Sequence, residues 1–377
     1  MAPMRHSARL SRRAFLRAIG ATAAAAAAVQ ACRAFGLEPT PATDAAAAPS
    51  EALLAPTGTA PVSPSAQPMP SPTPPSLIGR VALVKTDDRA HGVRRALDLL
   101  GIRPTQGKHV FLKPNYNTAD PAPASTHPDV LRALAEWLQA SGAESITIGD
   151  RSGMGDTRAV MERLGAFEIA SSLDLRTAVF DELSSDGWVP RQPAGSHWSR
   201  GFALARPVAE AEAVVLACCL KTHRYGGHFT LSLKNAVGMV AKRVPDEGYD
   251  YMTELHNSAH QRRMIAEVNA AYTPDMIVID GVDAFTTGGP DAGTRVHAQV
   301  VLAGADRVAL DAVGVALLRY FGTTDAVASG PIFQQEQIAR AVELGLGVSG
   351  PERIELITDD AESASYAAAL EPILSSH

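Results

Sequence analysis

From residue 78 to the C-terminus, apolar residues arrive in short continuous runs, and between the runs they recur every three or four positions. A continuous run of four to eight is the mark of a strand buried on both faces, whereas the wider spacing marks one face of a helix. Runs at 81–84, 109–112, 145–148, 177–180, 213–220, 276–279, 300–302 and 354–357 are read as strands. Val93, Leu97 and Leu100 mark a helix over 89–101 that stops at a glycine. Val130, Leu134 and Leu138 mark another, opened by Thr126-His127-Pro128-Asp129 with its capping residue, early proline and following acid. Further helices are expected over 157–164, 261–272 and 307–321. Alternating strands and amphipathic helices predict an α/β fold: a mainly parallel sheet with helices on both faces. No internal repeat is visible.

The first 77 residues follow neither pattern. Ser11-Arg12-Arg13-Ala14-Phe15-Leu16-Arg17 resembles a twin-arginine export signal, and an Ala-dominated stretch over 18–29 follows. Twelve weakly apolar residues do not cross a bilayer core, which takes about 20. Residues 1–31 are therefore read as a signal peptide, to be met by the twin-arginine translocase. That route implies export of an already folded protein. Val29-Gln30-Ala31-Cys32 allows cleavage by signal peptidase, and it also resembles a lipobox in which Cys32 is acylated. Residues 32–77 hold eleven prolines among Ala, Ser and Thr and no lysine, a composition that stays extended and solvated as a disordered tether. The expected location is periplasmic or cell-surface, with the membrane engaged only through a lipid on Cys32. Residues 78–377 form the α/β domain.

That domain carries 28 basic against 37 acidic side chains, and the chain as a whole has a net charge of −6. An acidic body without basic runs speaks against nucleic-acid binding. Besides Cys32 the chain has only Cys218 and Cys219, which lie side by side inside the apolar run 213–220. Neighbouring cysteines make a strained disulfide, and no spacing here fits a zinc ribbon or an iron–sulfur cluster. They are read as two buried strand residues.

Candidate chemistry collects at the strand ends. In an open parallel sheet ligands sit beyond the carboxyl ends of the strands. Lys113 and Asn115 follow one strand, Asp150 another, Lys221 and His223 a third, and Asp280 a fourth. The chain has 28 arginines but six lysines, and Lys113, Lys221 and Lys234 are half of the six. Where arginine already supplies surface charge, these lysines suggest compact ammonium groups of tunable pKa. With Asn235, Gly238 and the glycine-rich loop containing Gly289, they are suited to a carboxylate or phosphate. Lys221, His223, Lys234 and Asp280 are the candidate catalytic groups, and Lys113, Asn115, Asp150, Asn235 and Gly289 the candidate substrate contacts. His223 and His228 with a carboxylate would instead suit a divalent metal. Asp311, an acid inside an apolar helix, needs a partner, and Arg295, Lys221 or such a metal are the options. Asp306 is read as a helix cap.

Lys113-Pro114-Asn115, Thr126-His127-Pro128, Gly149-Asp150, Lys221-Thr222-His223, Thr230 to Asn235 with Gly238, Asp280-Gly281, Gly289-Pro290 and Ala303-Gly304-Ala305-Asp306 through Asp311 together resemble domain-of-unknown-function family 362. The match runs in order from about residue 80 to about 357. It implies an α/β fold and no general reaction. Some relatives carry ferredoxin-type cysteine motifs that this chain lacks, so no iron–sulfur role follows from it. The Lys/His/Asp set is also similar, by analogy alone, to nickel-cofactor lactate racemases. Two functions are compatible with the whole sequence. One is an exported enzyme, dependent on a metal or organic cofactor, acting on a small anionic substrate. The other is a tethered binding protein that captures an anionic ligand without chemistry.

Overall fold

The computed structural model describes residues 77–376. The signal peptide, nearly all of the tether and Cys32 lie outside the described residues. In chain order the principal elements are β1 (Gly79–Lys85), α1 (Arg89–Leu100), β2 (His109–Lys113), α2 (Pro128–Ala140), β3 (Ser145–Asp150), α3 (Thr157–Arg163), α4 (Ala166–Ser172) and β4 (Arg176–Val179). A small hairpin, β5 (Trp188–Arg191) and β6 (Phe202–Ala205), leads into β7 (Ala213–His223) and β8 (His228–Thr230). After these come α5 (Tyr251–Asn257), α6 (Gln261–Val268), β9 (Met276–Gly288), β10 (Gly293–Gly304), α7 (Arg307–Tyr320), α8 (Glu336–Glu343), β11 (Ile354–Ile357) and α9 (Ala361–Leu374).

The main sheet runs β11-β1-β10-β9-β7-β2-β3-β4, with β8 paired to the end of β7. Neighbours from β9 to β4 are parallel, as are β1 and β11. β10 is antiparallel to both its neighbours, and β8 is antiparallel to β7. The sheet is thus mainly parallel, as the continuous apolar runs predict. β7 shows why those runs are continuous. Val214, Leu216, Cys218 and Leu220 pack into one core with α6, α7 and α9. Ala213, Val215 and Ala217 pack into the other with α1, α2 and α4. Cys218 and Cys219 are both buried and free.

Three local expectations are corrected. The strand expected to stop at Asp280 continues to Gly288 and returns as β10, so Asp280 is mid-strand. The residue capping α2 is His127, whose ring accepts from Asp129 N. Thr126 serves as a bridge instead. Its hydroxyl donates to Ala217 O at 2.9 Å and accepts from Asn115 N at 2.8 Å, fastening the loop after β2 to β7. The helix expected over 261–272 stops at Val268. Asp306 caps α7 as expected, accepting from Val308 N and Ala309 N.

The sheet fixes where a ligand belongs. From β2 the chain proceeds outward through β3 and β4, whereas β7 and β9 lie on the other side of β2. The reversal falls between β2 and β7, the place where open α/β sheets hold ligands. Lys113 ends one of those two strands, and Lys221 lies near the end of the other.

Candidate functional site

Beyond that reversal point a cleft of about 630 Å³ narrows to an inner pocket of about 40 Å³. The inner pocket is lined by Lys113, Asn115, Asp150, Lys221, His223, Lys234 and Asn235, joined by Tyr116, Thr230 and Gly238. Seven of the sequence-chosen residues therefore stand around one space.

Each is aimed by its own element. The Thr126 bridge fixes the backbone of Asn115, whose Oδ1 accepts from Lys221 Nζ at 3.1 Å. Lys221 also donates to Ala124 O. Lys113 Nζ lies 2.7 Å from Asp150 Oδ1 and donates to Pro114 O at 2.8 Å and Asn235 Oδ1 at 3.2 Å. Asp150 is held in turn by Tyr116 N and Arg151 N. Gly238 passes so close that a Cβ there would stand 2.5 Å from Asp150 Oδ1 and 2.7 Å from Lys113 Nζ. Only glycine fits beside that ion pair.

Charge in this space does not balance. Lys113 and Lys221 are 1% and 0% exposed. Lys113 has a carboxylate, but Lys221 has only neutral oxygens. Arg151, also buried, donates to the carbonyls of Val240 at 2.7 Å and Val237 at 2.8 Å. Lys234 has no acceptor for its ammonium among the described residues. Burial lowers the pKa of Lys113 and raises that of Asp150, with their mutual contact opposing both shifts. Lys221 is lowered by burial. Lys234 is brought down to about 7 by burial and by the positive charges of Lys221 and Arg151. His223 is driven well below its ordinary value by burial first, then by Lys234 and Lys221. A buried cation without a counterion is costly, and an anion supplied from outside removes that cost.

Unused hydrogen-bonding groups point the same way. Tyr116 OH, Thr230 Oγ1 and His223 Nδ1 are buried without a partner, and all three residues line the inner pocket. Orphaned polar atoms of this kind are rare in folded proteins. Sequence reasoning missed Tyr116, Thr230, Arg151 and Pro290 as site residues. Three of the four adjoin chosen residues, since Tyr116 follows Asn115, Arg151 follows Asp150 at the end of β3, and Pro290 follows Gly289.

Four chosen residues, Asp280, Asp311, Gly289 and His228, line neither the inner pocket nor the cleft. Asp280, expected at the site, is bound 2.9 Å from Arg89 Nε, and the same guanidinium reaches Asp283 at 2.7 Å. Asp311, expected to pair with Lys221, Arg295 or a metal, instead accepts from Ser232 N at 2.8 Å, Ser232 Oγ at 2.5 Å and Leu233 N at 3.2 Å. It holds the single helical turn Ser232–Asn235 that carries Lys234, and burial raises its pKa to about 7. Gly289 lies against the backbone of β7 with φ +63, and its neighbour Pro290 lines the cleft in its place. The set His223, His228 and Asp311 is therefore not assembled, although the two histidines are cross-strand partners. Among the described residues no group of three or more His, Cys, Asp or Glu side chains stands close enough to hold a metal.

A family model described as a domain of unknown function (DUF362) matches residues 110–316. A thylakoid-associated protein of Synechocystis is 26% identical over 259 residues, which cover 67% of this chain and 75% of its own. The solved lactate racemase apoprotein from Thermoanaerobacterium thermosaccharolyticum aligns at 16% identity with a TM-score of 0.33, over 55% of this chain. The chain spans about half the length of that solved protein, 51%.

Proposed function

The chain belongs to the DUF362 family, and we propose that it is an enzyme whose cleft takes a small carboxylate- or phosphate-bearing substrate, with Lys221 holding the anion and Lys234 and His223 exchanging protons with it. The observation that carries this reading is the excess of positive charge at the reversal point. Three lysines and an arginine face one carboxylate, and Lys234 has no partner. A binding protein needs the charge but has no use for a lysine whose ammonium titrates near neutrality. A proton-transfer catalyst does, because a group works best when its pKa lies near the working pH. The buried hydroxyls of Tyr116 and Thr230 would complete the anion's contacts. The cleft has room for more than a small anion, so the acidic group of an organic cofactor fits the proposal as well as a substrate. No metal step is included, because Asp311, the carboxylate of the expected metal set, is taken up by Ser232 and Leu233.

Labelling of the full chain by trinitrobenzenesulfonate, which reacts with neutral amines, tests this. Lys234 labelling, mapped by mass spectrometry, is expected to rise through a midpoint near pH 7. Saturating malonate or orthophosphate should suppress it at least tenfold. An ordinary lysine midpoint without protection by either anion overturns the proposal.

We further propose export by the twin-arginine route and a lipid anchor at Cys32. A thylakoid-associated relative fits a protein working beside a membrane, and no helix among the described residues is long and apolar enough to cross one. Replacing Arg12 and Arg13 with lysine should leave precursor in the cytoplasm, since the translocase reads the guanidinium pair. Cys32→Ala should move the exported protein from the detergent phase to the aqueous phase. Normal export of the double-lysine chain, or unchanged partitioning of Cys32→Ala, removes the corresponding half.

A further inference from the structure

The two adjoining spaces share six lining residues and differ greatly in size. The inner pocket, about 40 Å³, holds one carboxylate-sized group, whereas the outer cleft holds a whole small molecule. Residues lining both stand at the mouth, and among them are His223, Lys234 and Arg151. A carboxylate seated inside would meet the remaining N–H of Lys221 and the free hydroxyls of Tyr116 and Thr230. The carbon bonded to that carboxylate then lies at the mouth, beside Lys234.

The three lysines are not equivalent there. Lys113 is bound to Asp150, Asn235 Oδ1 and Pro114 O, and Lys221 to Asn115 Oδ1 and Ala124 O. Lys234 alone of the three has no acceptor among the described residues and faces the open cleft as well as the pocket. Its stem packs under Gly227, where a Cβ would stand 2.5 Å from Lys234 Cε and 3.3 Å from His223 Nδ1. The Lys234 stem and the unpartnered Nδ1 of His223 thus flank the same glycine.

We propose that Lys234 forms an imine with the carbonyl carbon of a 2-oxo acid whose carboxylate occupies the inner pocket. The inference rests on the anion site proposed above and adds the substrate class and the covalent step. In that step the Lys234 nitrogen adds to the 2-oxo carbon; the N–C bond forms, the C=O π bond breaks, and the oxygen takes a proton. The resulting carbinolamine loses its hydroxyl with a further proton as water, leaving the protonated C=N bond. The ammonium and the ketone thereby yield one iminium and one water, and no oxidant or reductant takes part. The proton that Lys234 sheds before attack passes to solvent in the open cleft, which also protonates the departing hydroxyl, while the unpartnered Nδ1 of His223 is left to hydrogen-bond the carbinolamine. Lysines freed of partners and desolvated are the ones that do this chemistry.

Reductive trapping reads the imine directly. The full chain is incubated with pyruvate or glyoxylate and borohydride, then its mass and its labelled peptide are determined. One reduced adduct per chain on Lys234 is expected, with acetone, which lacks the carboxylate, giving at least tenfold less. Lys234→Met should abolish the adduct, and Lys234→Arg, which keeps the charge and the fold, should do the same. Equal labelling of either variant, or adducts scattered over exposed lysines, overturns the imine. Pyruvate that protects Lys234 from trinitrobenzenesulfonate yet leaves no adduct overturns the imine while leaving the anion site standing; loss of protection as well removes both.

Discussion

A lysine with no acceptor sets the behaviour of its whole surroundings. Lys234 titrates near 7 in the folded chain, against an ordinary value of 10.5, because burial and two neighbouring cations disfavour its charge. Below pH 7 the ammonium is charged in both the folded and unfolded chain, and folding bears the cost of holding it half-buried beside Lys221 and Arg151. Between pH 7 and 10.5 the unfolded chain holds the proton that the folded chain has lost, so stability rises with pH across that window. Lys234→Met removes the titration. It is expected to melt several degrees higher than wild type at pH 6, roughly the effect of 1–2 kcal/mol in a domain of this size, and to lose that advantage by about pH 10. Melting curves of both chains from pH 6 to 10 check this; a constant difference would show that the ammonium is not strained. The lysines were legible in the sequence because they are scarce in an arginine-rich chain. The acids were not. Asp280, Asp150 and Asp311 look alike in sequence, yet Arg89 takes the first, Lys113 the second and a backbone turn the third. Only the positions of distant cations and amides distinguish them.

At the level of elements, the strands buried on both faces were legible and those carrying polar residues were not. β9 shows the physical reason. Asp280 and Asp283 interrupt its apolar run and read as a strand ending, but Arg89 and Arg295 neutralise them, His297 hydrogen-bonds Asp283, and the strand continues through Val282, Ala284 and Phe285. The hairpin that follows delivers Pro290 to the cleft. It can do so because Gly288 and Gly289 both adopt positive φ, and because Gly289 has no side chain to strike β7. A Cβ at Gly289 would lie 2.1 Å from Thr222 O, so backbone has to move. Gly289→Ala is expected to cost about 2 kcal/mol or more through φ and collision together. It should also displace Pro290, weakening malonate binding measured by calorimetry at least threefold. A variant that melts normally and binds malonate normally would show that the hairpin does not shape the cleft.

Across the whole molecule, the strand order brings Lys113 and Lys221 together although 107 positions separate them in sequence. The fold class was legible because burial on two faces leaves its mark along the chain, but strand order leaves none, and so the site's membership could be read only as a set of strand ends. That set held two centres. One is the lysine pocket between β2 and β7. The other is the Arg89 cluster, which joins the start of α1 to the middle of β9 and is largely buried at its centre: the Arg89 side chain is 14% exposed and that of Asp280 3%. Because Asp280 depends on Arg89 for its ion pair, Arg89→Met strands a buried carboxylate already pushed upward by burial. The expected cost is about 3 kcal/mol, with Asp283 spared most of the loss by Arg295. Lys221→Met, by contrast, removes a cation that neutral oxygens alone support, so it should leave the melting temperature level or raised while malonate affinity falls about tenfold or more. The two variants are therefore expected to separate cleanly, one losing stability with its binding intact and the other binding with its stability intact. Melting temperature and calorimetric malonate affinity on both chains decide it, and loss of malonate binding in folded Arg89→Met would return Asp280 to the site.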